Sequence, residues 1–92
     1  MKTLNGNTVE DIINKIKTVV ETSDTEKWND ESACEKGYTL TMKSGWKLMV
    51  YHRDDSILIE VNSMDLIVNG KLPVDVVAEV YKINNIFDRS LI

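Results

Sequence analysis

The hydrophobic period of this chain changes twice, and that pattern limits its fold more than any other feature. Val9, Ile12, Ile13, Ile16, Val19 and Val20 recur at the spacing of one helical face. Glu10, Asp11, Asn14, Lys15, Lys17 and Glu21 fall on the opposite face. From Tyr38 to Asn62 the period drops to two. Tyr38, Leu40 and Met42, then Trp46, Leu48 and Val50, then Ile57, Ile59 and Val61 occupy alternate positions. After Pro73 the helical spacing returns in Val76, Val77, Val80, Ile83 and Phe87. Helix, strands and helix in that order make an α+β domain.

Local signals set the boundaries. Asn7 with Glu10 reads as a capping box, and Thr8 with Asp11 is a rival one residue later. A helix is predicted from about Thr8 to Glu21. Ser44-Gly45 and Arg53-Asp54-Asp55-Ser56 are tight turns between strands. A fourth short strand is expected at Asp65-Leu66-Ile67-Val68, closed by the turn dipeptide Asn69-Gly70. Pro73 suits the first turn of a second helix, with Asp75 and Glu79 early and Lys82 late as the macrodipole prefers. The expected architecture is a single domain spanning residues 1–92: an antiparallel three- to four-stranded meander flanked by an N-terminal and a C-terminal helix, α-β-β-β-(β)-α, with both helices on one sheet face.

The stretch from Thr22 to Lys36 is polar and acidic. Ser23-Asp24-Thr25-Glu26 can cap a short helical turn anchored by Trp28, and an uncapped loop fits equally well. Its length leans the expectation toward some local helix.

Composition narrows the function. Fifteen Asp and Glu against eleven Lys and Arg give the 92 residues a net charge of −4, so direct nucleic-acid binding is not expected. The single cysteine, Cys34, excludes an internal disulfide framework. No apolar run approaches the ~20 residues that span a bilayer, and the N-terminus has no signal-peptide core. The expectation is a soluble, cytoplasmic chain that does not engage membranes.

Catalytic equipment is sparse. Cys34 and His52 alone can form a thiol–imidazole pair, but no third group orients the base, and Asp30, Glu31 and Glu35 disfavour a thiolate. One Cys and one His have no metal-ligand spacing. Asp54-Asp55 more simply supply acceptors to a turn. Glycines 6, 37, 45 and 70 are too scattered to cradle a phosphate. Neither enzymatic activity nor a cofactor or metal is expected.

Two surfaces remain. Glu21, Asp24, Glu26, Asp30, Glu31 and Glu35 fall within fifteen residues, and Glu10 and Asp11 open the first helix. Together they form either a solvated face or a set of carboxylates that imitates the phosphates of DNA before a basic groove. The second surface is apolar. Two helices cover one sheet face only, leaving Met49, Tyr51 and Leu58, with the tail residues Phe87, Leu91 and Ile92, for a partner or a second copy. A homodimer or larger assembly is expected on that ground.

In its size, its element order, the acidic segment Glu21 to Glu35, the Asn7/Glu10 helix start and the Tyr38 to Asn62 meander, the chain resembles the small early proteins of T-even-type bacteriophages. It is most similar to the Arn-type anti-restriction DNA mimics among them. The resemblance implies a non-enzymatic, dimeric or larger inhibitor of a host restriction endonuclease such as McrBC in the host cytoplasm. The alternative is a self-associating interaction module or phage regulator that binds through the apolar sheet face.

Overall fold

The computed structural model describes residues 7–62 and 73–87. The first helix, α1, spans Val9–Val19. Of the two candidate caps, Thr8 with Asp11 is the one formed. The Thr8 Oγ1 accepts from the Asp11 N–H at 3.2 Å, and the Asp11 carboxylate accepts from the Thr8 N–H at 3.0 Å. The helix stops two residues short of the expected end. Val20 is already extended (φ −133°) and buried, and its N–H closes the last turn on the Ile16 carbonyl.

Four antiparallel strands follow in sequence order: β1 (Thr22–Asp30), β2 (Glu35–Met42), β3 (Lys47–Arg53) and β4 (Ser56–Asn62). The expectation of local helix in the acidic stretch is wrong, because residues 22–30 form a strand. Its β propensity is poor, but β1 pairs with β2 from Thr22↔Met42 to Asp30↔Glu35, which gives its backbone hydrogen-bond partners. At the end of this sheet a polar strand is tolerable, since charges there discourage unwanted pairing. The strand expected at Asp65–Val68 and the tail residues Leu91 and Ile92 lie outside the described residues.

Each hairpin turn carries one left-handed residue. Glu31–Cys34 joins β1 to β2, with Cys34 at φ 55°. Residues 43–46 join β2 to β3: the Gly45 N–H donates to the Met42 carbonyl at 2.8 Å, and Gly45 at φ 98° adopts the backbone that only glycine takes freely. Asp54-Asp55 joins β3 to β4 with Asp54 at φ 51°, the turn expected from sequence. The second helix, α2 (Val74–Phe87), begins just after Pro73, whose carbonyl accepts from the Val77 N–H at 3.1 Å.

Strand register sorts the side chains into two sets. Leu40, Met42, Leu48, Val50 and Ile57 join Ile12, Ile13 and Ile16 of α1 and Val76, Val80, Ile83 and Phe87 of α2 in one core, so both helices lie on one face. Trp46 is fully buried there, and its indole N–H donates to the Glu79 carboxylate at 3.1 Å. Phe87 is therefore part of the helical core stripe and is not a free tail residue.

Candidate functional site

The opposite sheet face has neither helix on it. Alternation and register place Asp24, Glu26, Trp28 and Asp30 of β1 there, followed by Glu35, Gly37, Thr39 and Thr41 of β2. Lys47, Met49, Tyr51 and Arg53 of β3 and Ser56, Leu58 and Glu60 of β4 share it. Among the described residues, five carboxylates share this face with two cations, and one of those cations is already paired. Arg53 Nε donates to Glu35 Oε2 at 2.5 Å.

At the centre the three strands align Trp28, Gly37 and Tyr51. β1 and β3 are about 9.5 Å apart, twice the spacing of adjacent strands. Yet the Trp28 and Tyr51 rings lie with centroids 5.4 Å apart and planes tilted by 47°. They converge because Gly37 between them has no side chain. A Cβ there would stand 2.3 Å from the Val50 carbonyl oxygen and 2.5 Å from the Tyr51 Cα.

Tyr51, expected to be exposed for self-association, is only 3% exposed. Trp28 lies against one side of it, the Arg53 guanidinium sits 5.9 Å from its ring centroid, and its hydroxyl donates to Glu60 Oε1 at 2.6 Å. Burial, and then the bond to Glu60, push the phenol up to about 12. Met49 and Leu58 are half-buried. Of the residues assigned to self-association, these two remain accessible on the sheet.

The acidic residues divide by what they already hold. Asp24, Glu26 and Asp30 are exposed on β1, and Glu35 is half-buried on β2. Along a strand, alternate residues stand about 6.6–6.8 Å apart. Asp30 also fastens the turn that follows β1. Its Oδ1 accepts from the Ser32 hydroxyl at 2.6 Å and from the backbone N–H groups of Ser32 and Ala33. The Ser32 hydroxyl, and then the Ala33 N–H, hold its carboxyl below the usual carboxylate range. Glu31 lies in the turn. Glu10 and Asp11 sit on α1, which packs on the other face of the sheet, with Glu10 lining a depression beside Lys27, Trp28 and Tyr38, and the Thr8 backbone N–H chiefly holds Asp11 below its ordinary value. Glu21 lies between α1 and β1 and pairs with Lys43 at 3.0 Å. The structure thus gathers Asp24, Glu26, Asp30 and Glu35 and leaves Glu10, Asp11, Glu21 and Glu31 elsewhere.

Two features of the face escape a pattern of hydrophobicity. Glu60 belongs to it through its place between Ile59 and Val61, both on the core side. The β1 set has a period of two that is written in charge and aromaticity instead.

Cys34 and His52 line one open depression of about 670 Å³ with Glu31, Glu35 and Asp54. They do not form a thiol–imidazole bond: the Cys34 sulfur lies 3.9 Å from the Glu31 carbonyl oxygen, and the buried His52 Nδ1 has no hydrogen-bond partner. Among the described residues, no group of three or more His, Cys, Asp or Glu is placed to hold a metal ion, and no helix is long and apolar enough to cross a membrane.

No family model, no curated protein and no solved structure matches the chain.

Proposed function

We propose that this chain is a non-enzymatic, phage-type inhibitor of a host DNA-acting defence enzyme, a restriction endonuclease such as McrBC, which it engages through an acidic surface that imitates DNA. One observation carries the reading. Asp24, Glu26, Asp30, Glu35 and Glu60 stand together on the face of a four-stranded sheet opposite α1 and α2, at strand spacing. Carboxylates fixed in this way offer an extended anionic strip to the Lys and Arg lining a nucleic-acid groove. Opposite charge steers such an encounter and selects against acidic partners. A pocketed chemistry would need the converging nucleophile, base and electrophile that the Cys34–His52 depression does not assemble.

The test is competition. Purified restriction enzyme is mixed with the chain, and duplex DNA is titrated in at ~50 and ~200 mM salt, where screening of exposed charges differs strongly. The expected result is loss of cleavage, relief by excess DNA, and weaker inhibition at the higher salt. Undiminished cleavage at low salt with the chain in large excess rejects this target. If no DNA-handling enzyme is displaced from DNA, the mimicry itself fails.

A second reading, self-association, retains Met49 and Leu58 as its support. Two copies meeting through this face would oppose their own carboxylates, so a dimer formed there should strengthen as salt screens them. Sedimentation equilibrium at micromolar concentration reads this directly. A monomer at both salt concentrations removes the second reading.

A further inference from the structure

We propose that Trp28, with Glu26 and Asp30 two residues to either side on β1, seats an arginine side chain of the basic partner. This rests on the acidic-face reading above and names the recognition chemistry within it.

Three observations favour a guanidinium. The first is local charge: Glu26 and Asp30 are both exposed on the face that Trp28 shares, so a cation lying over the ring has a carboxylate on each side. The second is what the indole presents. Its Nε1 is buried without a partner in a residue that is half-buried, so what the indole can offer a ligand is ring carbon and not its N–H. Ring carbon stacks on a planar cation and offers nothing to an anion.

The third observation is that the molecule already builds this arrangement once. One ring away, the Arg53 guanidinium lies 5.9 Å from the Tyr51 centroid and is held by Glu35 at 2.5 Å. Tyr51 is filled by that internal arginine. Among the described residues no cation stacks on Trp28; Lys27 and Lys36, nearest along the strands, belong to the other face by register. A second copy of this chain is a poor occupant, because its matching face brings carboxylates. A lysine is a weaker one, since its ammonium is strongly hydrated and lacks the flat guanidinium plane.

The experiment compares a nine-residue arginine peptide with a nine-residue lysine peptide on the whole protein, read by calorimetry and tryptophan fluorescence. Trp46 is fully buried, so a binding-induced change reports Trp28. The arginine peptide should bind about three- to fivefold tighter, the worth of about 0.6–1 kcal/mol of stacking. Trp28→Leu should erase the preference while leaving the salt dependence of both peptides intact. Glu26→Gln with Asp30→Asn should weaken both peptides alike. If Trp28→Leu melts by circular dichroism, Trp28→Phe takes its place and should keep part of the preference. Equal binding of the two peptides by the wild type, or an arginine preference that survives Trp28→Leu, overturns the seat and leaves the acidic face standing. If neither peptide binds at low salt, both readings fall together.

Discussion

The two faces of the sheet are built from the same strands by opposite rules. On the helix-covered face Leu40, Met42, Leu48, Val50 and Ile57 are buried and packed with α1 and α2, and the polar residues of that face, Lys27 and Lys36 among them, lie toward β1. On the open face the strands carry carboxylates, threonines and a tilted pair of aromatic rings in contact. Its buried ring, Tyr51, is held by Trp28 at one side, Arg53 near its centroid and Glu60 at its hydroxyl. The covered face can be understood from volume alone. The open face needs hydrogen bonds and charge. A face that only had to be soluble would need neither a pair of rings in contact nor a glycine that lets them meet. Stability should therefore reside on one face and recognition on the other.

The largest effect should break the covered face. Trp46 has no exposed surface and ties the β2–β3 end of the sheet to α2 through Glu79. Trp46→Ala should cost about 3–5 kcal/mol by urea denaturation, from lost burial, the cavity, and an unpartnered carboxylate. Met49→Ala on the open face should cost under about 1.5 kcal/mol, because that side chain is only half-buried. Equal losses at the two positions would mean that the open face is a second core.

Gly37 comes next. A methyl group there meets the Val50 carbonyl oxygen and the Tyr51 backbone, which cannot swing aside as a side-chain tip would. Gly37→Ala should cost about 2–3 kcal/mol by the same measurement and separate the Trp28 and Tyr51 rings, read as altered near-ultraviolet dichroism. A neutral substitution would show that β2 and β3 part at no cost.

How much of the molecule is legible in its sequence follows the same division. The meander, its turns, both helices and the covered core are readable because apolar side chains mark their own period, as Leu40, Leu48 and Val50 do. β1 is not readable from hydrophobicity. Its partners lie in β2, its one large apolar residue is Trp28, and its alternation is of charge. Alternation puts Tyr51 on the correct face but leaves it bare. Its cover comes from Trp28, a residue 23 positions away across β2, and only through the gap at Gly37. Phe87 sits four residues after Ile83, the spacing of the core stripe, so the period alone is enough to bury it, and its nearness to the apolar tail misleads.

Alkali offers a smaller probe of the open face. Tyr51 titrates near 12 when folded and near 10 when unfolded. Between those values the unfolded chain has lost the proton that the folded chain keeps. Stability contributed by this group is therefore full below about pH 10 and falls as pH rises toward 12. Tyr51→Phe should remove that segment of the slope in urea melts between pH 9 and pH 12. An unchanged slope would mean that Tyr51 is neither buried nor bonded to Glu60 in solution.

The smallest effect on stability should accompany the largest effect on recognition, and that contrast tests the division of labour most directly. Asp24 and Glu26 are exposed on β1 and form none of the turn or cap bonds that engage Asp30 and Asp11. Changing them to Asn and Gln should leave stability within about ±0.5 kcal/mol, the usual range for exposed positions. On the acidic-face reading the same change should weaken binding to the basic partner at least about tenfold at low salt, or about 1.4 kcal/mol. Net charge alone could produce some of that loss. The control is therefore Glu10→Gln with Glu21→Gln, which removes the same charge from α1 and from the α1–β1 connection. If the charges act through their place on the sheet, the control should retain most of the affinity. Equal weakening by the two pairs would reduce the face to a contribution to overall charge. No weakening by either would move recognition to Met49 and Leu58, whose interactions salt does not screen.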